Sequence, residues 1–175
     1  NKLKKGIYKV KINSSLKPGS LSYADLLIKG KSKKEILFSS YICHPSMGNN
    51  EVSGPALLTY LAKYVKGLKN RKFTYRFILA PENIGSIIYI NKNFQKLKKN
   101  VIAAYNITCV GDDKNYSFLH SKFPNSLSDR IAVRAIKMSK KKFKFYSFLE
   151  FSGSDERRYC SPGVDIPMCS IMRTK

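Results

Sequence analysis

The sequence has few acidic residues, few histidines and no tryptophan. Its 175 residues include four cysteines and two histidines, and 11 aspartates and glutamates stand against 33 lysines and arginines. None of the cysteines forms a CxxC pair, so nothing indicates a cysteine-rich zinc site or a disulfide scaffold. We therefore expect a reducing, cytoplasmic compartment.

Long apolar runs are also missing. No run approaches the ~20 residues that a transmembrane helix needs, and no apolar signal core follows the basic start "NKLKKGIYKV". The sequence therefore predicts neither a membrane span nor an export signal. Its length indicates a single domain over residues 1–175. Because "PMCSIMRTK" stops just as an apolar strand finishes, we expect this domain to be a piece of a longer protein.

The shortage of acidic residues leaves a net charge of +22. Such a charge is compatible with nucleic acids, anionic polymers or membrane surfaces. The lysines, however, are scattered between apolar segments, as in "KSKK" and "SKKKFK", which is typical of solvated loops and helix ends. Since no arginine-rich segment with interleaved aromatics is present, charge alone supports a nucleic-acid partner, and we do not favour one.

What the sequence does contain is a regular alternation of strand and helix patterns. This alternation predicts a three-layer α/β domain. The first two strands are expected to form a hairpin at the sheet edge. The predicted strands are 7–12, 21–30, 35–43, 73–81, 100–111, 116–120, "FKFYSFLE" and "IPMCSIM", and the predicted helices are 55–68, 84–97 and 126–139.

Polar clusters follow three of the predicted strands. They are His44 to Glu51, Glu82 with Asn83, and Asp112 with Asp113. In sheets of this kind, sites collect in the loops after the carboxyl ends of the strands. We therefore expect the functional residues among these clusters.

His44 has two interpretations. It could bind zinc through a neutral imidazole nitrogen, or it could be an ordinary histidine that is hydrogen-bonded in the turn before Pro45. A catalytic zinc ion needs roughly three protein ligands and an open position. Glu51 and Glu82 are candidate partners, whereas Asn50 is a poorer one because its amide oxygen carries no charge.

Glu82 also has two interpretations. Because it directly follows the strand "FILAP", it could act as a general base for a metal-bound water. It could equally be an acidic residue in the first turn of a helix, where the helix dipole favours negative charge. The other histidine, His120, lies outside these clusters and is interpreted as a surface or strand-end residue.

The loop "FSGSDERRYCSPG" combines acidic and basic residues between glycines. Asp155 and Glu156 could bind a metal ion or a substrate amine, with Arg157 beside them. The alternative is an internal network of ion pairs that includes Arg158. Both interpretations place this loop before the final strand.

Three segments together carry a resemblance: "CHPSMGNNEVSGP", "PENIGS" and "GSDERRYCSPG". Over about residues 7–173 the sequence resembles the bacterial aminopeptidase-like domain that is often encoded near surface-polysaccharide genes. That group is similar to the co-catalytic zinc aminopeptidases with a phosphorylase/hydrolase-like fold. The resemblance implies a three-layer α/β/α fold with a mixed, largely parallel sheet. It also implies a zinc-dependent hydrolase that acts on a peptide or an amide-containing small substrate.

The resemblance assigns roles to particular positions. His44 matches a metal-binding histidine, and Glu82 matches the general base. Asn50 stands where the family has an aspartate that bridges two metal ions. Asn83 and Thr108 replace two further carboxylate ligands, and the last histidine of the family site would lie beyond the end of this chain.

Losing three carboxylates removes most of the charge that holds two divalent ions. The resemblance therefore implies at most a single zinc ion, at His44, Glu51 and Asn50, with a substrate amine near Asp155. The alternative is a non-catalytic relative that keeps the fold and binds an anionic glycan through its positive charge.

Overall fold

The computed structural model describes residues 3–139 and 141–173. One seven-stranded mixed sheet organises them, in the order β1-β3-β2-β4-β7-β5-β6. β3, β2, β4 and β7 run parallel, β1 and β5 pair antiparallel to β3 and β7, and β6 is parallel to β5. The strands are β1 (Ala24–Ile28), β2 (Glu35–Tyr41), β3 (Thr74–Ala80), β4 (Val101–Ile107), β5 (Tyr116–Leu119), β6 (Phe143–Tyr146) and β7 (Met168–Met172).

Helices cover both faces of this sheet. Leu58 and Ala132, from the first and third helices, belong to one buried cluster, whereas Tyr89 and Tyr159 belong to the other. The expected three-layer fold with a mixed, largely parallel sheet is therefore confirmed. The helices are α1 (Ser53–Gly67), α2 (Ile84–Asn100), α3 (Leu127–Met138), α4 (Phe148–Phe151) and α5 (Asp155–Tyr159), and a π-helical turn (Gly48–Val52) precedes α1.

None of the helices in the described residues combines the length and apolar character needed to cross a membrane. The longest, α2, carries lysines in its last turn at Lys98 and Lys99. Positive side chains there complement the negative end of the helix dipole.

The first predicted strand is wrong. Residues 7–12 form no ladder, and their apolar side chains at Ile7, Val10 and Ile12 lie exposed. The edge strand β1 pairs with β3 instead, with Ala24 opposite Leu79, so the expected hairpin is not present. Alternating apolar and polar side chains show only that a segment could form a half-buried strand. The segment must also find a free edge of the sheet in the matching register.

The apolar spacing that predicts the first helix from the sequence, at Leu57, Leu61, Val65 and Leu68, matches the buried side of this helix only at Val65. Leu57 is half exposed, and the buried stripe of α1 is Leu58, Ala62 and Val65. The sequence also predicts Ser126 as the N-cap of the third helix, and this is confirmed, because the Ser126 hydroxyl accepts the Asp129 amide at 3.2 Å.

The start of α1 is packed directly onto the sheet. A side chain at Gly54 would collide with the Ser40 hydroxyl on β2 and with the Ile107 carbonyl on β4. Only glycine permits this approach. The π-helical turn before α1 is thereby held over the carboxyl ends of the two central strands.

Candidate metal and catalytic site

A cavity of about 260 Å³ opens at the carboxyl ends of the central strands. Four residues singled out by the sequence meet there: Asn50, Glu82, Thr108 and Glu156. The sheet topology explains this, because the ends of neighbouring parallel strands lie at one edge. The full lining is Tyr41, Asn50, Glu82, Thr108, Cys109, Leu119, Phe151, Gly153, Ser154, Glu156, Ser170 and Met172.

A compact group of three potential metal ligands lies directly after β2. The Nδ1 atom of His44 is 2.6 Å from Oε1 of Glu51. The Sγ atom of Cys43 lies 3.2 Å from that nitrogen and 3.7 Å from that oxygen. The ligand atoms of all three residues fall within 4.8 Å of one another. The structure thus brings His44 and Glu51 together and adds Cys43, which was not predicted as a ligand.

Glu51 is the buried member of this group. It is 6% exposed and sits on the π-helical turn, where its Oε2 accepts the backbone N–H of Cys43. Burial by itself raises the pKa of this carboxyl, but hydrogen bonds from the backbone and the side chain of His44 and from the Cys43 amide outweigh it. The pKa of Glu51 is lowered as a result, and the side chain is a carboxylate at neutral pH.

Cys43 connects the other two members of this group to Glu82. Its Sγ accepts the backbone N–H of Glu82 at 3.3 Å. Desolvation, together with the carboxylates of Glu51 and Glu82, raises the pKa of the thiol despite that hydrogen bond. Without a cation nearby, the thiol therefore stays protonated.

Asn50 occupies the cavity itself. Its Nδ2 donates to the hydroxyl of Tyr41 at 3.0 Å and to Sγ of Cys109 at 3.4 Å. Burial raises the pKa of the Tyr41 hydroxyl well above its usual value, so this group remains protonated. Asn50 thus contributes an oriented but uncharged amide.

Glu82 is aimed by an unusual turn. The following residue, Asn83, has a φ of 59° and a ψ of −62°, and the Ile84 N–H donates to the Glu82 carbonyl at 2.6 Å across it, which makes a strained γ-turn. The backbone N–H of Asn83 donates to Asp155 at 2.8 Å, its Oδ1 accepts from Arg158 Nε at 2.8 Å, and its Nδ2 donates to the Gly153 carbonyl at 3.3 Å. Such over-determined contacts are what keep a strained backbone in place.

The carboxylates of the loop before β7 are both buried but play different parts. Asp155 lies beneath the turn that carries Glu82, fully excluded from solvent, and burial raises its pKa to about 6. Glu156 lines the cavity, and its two oxygens accept from the amides of Gly153 and Ser154 at 2.9 and 3.0 Å and from the Ser170 hydroxyl at 2.9 Å.

The arginines of this loop do not form the internal ion-pair network with Asp155 and Glu156 that was one of the two interpretations of the sequence. Arg157 is exposed on α5, whereas Arg158 turns to Asn83. Within the described residues, neither arginine forms an ion pair with Asp155 or Glu156. Arg158 was not predicted as a residue of the site. In the sequence, the only indication of a role for Arg158 in the site was that it directly follows Arg157.

The third predicted cluster, Asp112 with Asp113, does not line the cavity, but Asp112 helps to hold the π-helical turn in place. Asn49, on the π-helical turn, donates to Asp112 at 3.0 Å and accepts from the Gly111 amide at 2.7 Å. Asp113 is exposed. His120 lies at the end of β5, 3.6 Å from the Asp129 carboxylate, outside the cavity lining.

The donor set fits one metal ion better than two. Three positions that the resemblance assigned to carboxylates hold the neutral side chains of Asn50, Asn83 and Thr108. Both polar atoms of the Asn83 amide are already used by Arg158 and Gly153. The charged donors that remain close together are His44 and Glu51, with Cys43 beside them. Such an imidazole, carboxylate and sulfur set is typical of zinc.

Comparison with known proteins gives a consistent result. The profile of the family described as "Domain of unknown function (DUF4910)" matches residues 6–175. The chain is 41% identical over 167 residues to a Clostridium acetobutylicum protein whose name describes polysaccharide biosynthesis and an aminopeptidase-like domain. That match covers 95% of this chain and 38% of the relative.

The solved structures that share the fold include the following two. A candidate peptidase from Clostridium acetobutylicum superimposes with a TM-score of 0.82 at 38% identity, over 87% of this chain and 35% of the other. A zinc aminopeptidase from Bacillus subtilis gives a TM-score of 0.65 at 18% identity, over 86% of this chain and 39% of the other. The chain therefore spans less than two-fifths of the length of each.

Proposed function

Since this chain belongs to the family described as "Domain of unknown function (DUF4910)" and has an aminopeptidase-like fold, we propose that it is a zinc-dependent hydrolase of peptide or amide bonds. The observation that carries the proposal is the meeting of Glu82 with a buried carboxylate, Glu156, in one cavity beside the His44–Glu51 pair. A general base, an anionic wall and metal donors are the parts that such a reaction needs.

Glu82 is the general base of this proposal. It is half buried at the cavity, and the turn through Asn83 fixes its direction. Its carboxylate takes the proton of the attacking water and returns it to the leaving amine. A zinc ion held by His44 and Glu51, with the Asn50 amide oxygen as a weaker donor, would supply Lewis acidity toward the scissile carbonyl.

Substrate binding is assigned to the loop before β7. Glu156 presents negative charge at the cavity wall, which favours a substrate amino group. Asp155 supports this arrangement from beneath, and we assign Arg157, which is exposed, to the part of a longer substrate that lies outside the cavity. A volume of about 260 Å³ suits the end of a peptide or a small amide rather than a folded protein.

Steady-state hydrolysis of aminoacyl amides and short peptides by the zinc-loaded protein tests the proposal. Glu82→Gln should lower kcat by roughly 10²–10⁴-fold while KM changes little, because a base acts mainly in the transition state. Glu150→Gln is the matched control, since Glu150 is exposed on α4. Undiminished hydrolysis by Glu82→Gln would contradict the assignment.

A second candidate is a non-catalytic member of the family that binds an anionic glycan. The neutral residues at positions 50, 83 and 108 and the net charge of +22 favour it. The expected signature is binding to acidic polysaccharide that weakens steeply with salt, without turnover of any amide. Zinc-dependent hydrolysis would exclude this candidate.

A further inference from the structure

We propose that Cys43 is a metal ligand, which completes a Cys43–His44–Glu51 set for one zinc ion. The inference rests on the proposed function for its catalytic meaning, and it deepens that function by naming the ligand set. Three protein donors and an open fourth position are the usual composition of a catalytic zinc site.

The three donor atoms are already close to the spacing that a tetrahedral ion imposes. Bond lengths of ~2.3 Å to sulfur and ~2.0–2.2 Å to nitrogen and oxygen require separations of ~3.6 Å for S···N and S···O and ~3.4 Å for N···O. The structure has 3.2 Å for Cys43 to His44, 3.7 Å for Cys43 to Glu51 and 2.6 Å for His44 to Glu51. Only the last separation has to open appreciably.

The side chain that must move is the one that can. The His44 side chain is 46% exposed, so its ring can swing outward, whereas the Glu51 side chain is 5% exposed. In the present structure a hydrogen bond joins His44 Nδ1 to Glu51 Oε1. A metal ion would take the place of that shared proton, with the His44 ring moved outward and Glu51 kept in position.

The surroundings of the three donors support ligation. Glu51 keeps one oxygen on the Cys43 amide and the other toward His44 and the sulfur. The sulfur in turn accepts the backbone N–H of Glu82. Hydrogen bonds of this kind orient ligands and support their charge. They also connect the ligand set to the residue that we assign as the base.

The donor types indicate which ion binds. A thiolate and a carboxylate together bring two negative charges, and an imidazole brings none, which balances a single divalent cation. Sulfur and imidazole ligands select zinc or cobalt over magnesium, calcium and manganese, which prefer oxygen. The proposal therefore specifies a site that is soft in character.

A rival geometry uses the same residues differently. His44 could ligate through Nε2 while Glu51 only orients Nδ1, as carboxylates often do for metal-binding histidines. Cys43 would then play no part. The presence or absence of a metal–thiolate bond separates the two geometries.

Titration with Co²⁺ tests the proposal directly. We expect one equivalent to bind and to give a near-ultraviolet sulfur-to-cobalt charge-transfer band. Cys43→Ser should abolish the band and weaken Zn²⁺ binding at least ~10-fold. Cys109→Ser, which alters the cavity cysteine beside Asn50, should keep the band. Thermal unfolding followed by circular dichroism identifies any variant that fails to fold.

Alkylation of the unaltered protein provides a second measurement that needs no variant. Bound Zn²⁺ should slow the reaction of Cys43 with iodoacetamide, as mapped by peptide mass spectrometry, and leave the rate at Cys109 unchanged. A Co²⁺ complex without the band, equal alkylation of Cys43 with and without Zn²⁺, or no metal binding would each overturn the proposal. A protein that shows the band but hydrolyses no amide would keep this ligand set and refute the proposed hydrolase.

Discussion

The carboxylate of Asp155 accepts the backbone N–H of Asn83 at 2.8 Å, and this bond ties α5 to the turn that carries Glu82. The second oxygen of Asp155 is buried without a hydrogen-bond partner among the described residues. An ionised carboxylate in such a place is costly. The strain of Asn83 and the buried charge of Asp155 thus meet at one point under the site, as is common where a functional side chain is held in place.

Asp155→Asn should stabilise the protein increasingly as the pH rises. Burial raises the pKa of Asp155 to about 6, against ~3.9 for an exposed aspartate. The folded state therefore binds the proton more tightly, so its contribution to stability is complete below pH ~4 and is lost as the pH rises through ~6. Asparagine does not titrate, yet its oxygen can still accept the Asn83 amide. The free energy of unfolding of the variant relative to the original should rise by up to ~3 kcal/mol between pH 4 and pH 8.

Urea unfolding at a series of pH values measures this difference. Asp113→Asn is the control, because Asp113 is exposed and its substitution should give a nearly constant difference. A relative stability of Asp155→Asn that stays flat or falls with pH would show that Asp155 is not the buried acid described here.

Asn83→Ala should destabilise the protein more than Asn83→Gly does. Both variants lose the contacts of the amide with Arg158 and Gly153. Alanine also has an unfavourable backbone conformation at a φ of 59° and a ψ of −62°, which costs ~1–3 kcal/mol and which glycine adopts more readily. Denaturant unfolding should therefore separate the two variants by about that amount, and an equal loss of stability would argue against the γ-turn at Asn83.

The sequence specified the strand ends well but not what the loops bring beside them. Glu82 was placed correctly because it follows an uninterrupted apolar strand, and parallel strands share an edge. The approach of Cys43 to Glu51 depends on a π-helical turn. Such a short turn has no apolar periodicity from which it could be predicted. Arg158 was missed for a similar reason, since α5 has five residues and too few turns to show which face is buried. Residues 7–12 have the alternation of a strand. Pairing also depends on a second strand with a free edge, and the alternation of one segment does not reveal whether such a partner exists.

Gly54→Ala should be strongly destabilising. The added methyl group would strike the Ser40 hydroxyl and the Ile107 carbonyl, and neither the backbone of β4 nor the helix start can move freely. We expect a loss of ~1–3 kcal/mol or more in the free energy of unfolding. Gly67→Ala is the matched control at the other end of α1, where no atom lies near the new carbon. It should be neutral or stabilising by up to ~1 kcal/mol, because alanine favours the helix. Similar stability of the two variants would refute the close contact of α1 with the sheet.

Asn50→Asp should increase the affinity of the site for Zn²⁺. It restores a carboxylate at the position where the resembling aminopeptidases have one, within the cavity that Glu82 lines. The Tyr41 hydroxyl, which now accepts from the Asn50 amide, can donate to the new carboxylate instead. An added charged ligand should raise the affinity at least ~10-fold, measured by competition with a chromogenic chelator.

Asn49→Asp is the neighbouring control for this change. Asn49 binds Asp112 rather than the cavity, so an aspartate there adds the same charge but faces a like charge. We expect it to lower the stability of the protein and to leave the affinity for Zn²⁺ within about threefold of the original. If both variants raise the affinity equally, the gain comes from the overall charge near the site. If only Asn50→Asp does, position 50 is a place where this fold accepts a metal ligand, and the asparagine there is one of the neutral residues that limit the chain to one ion.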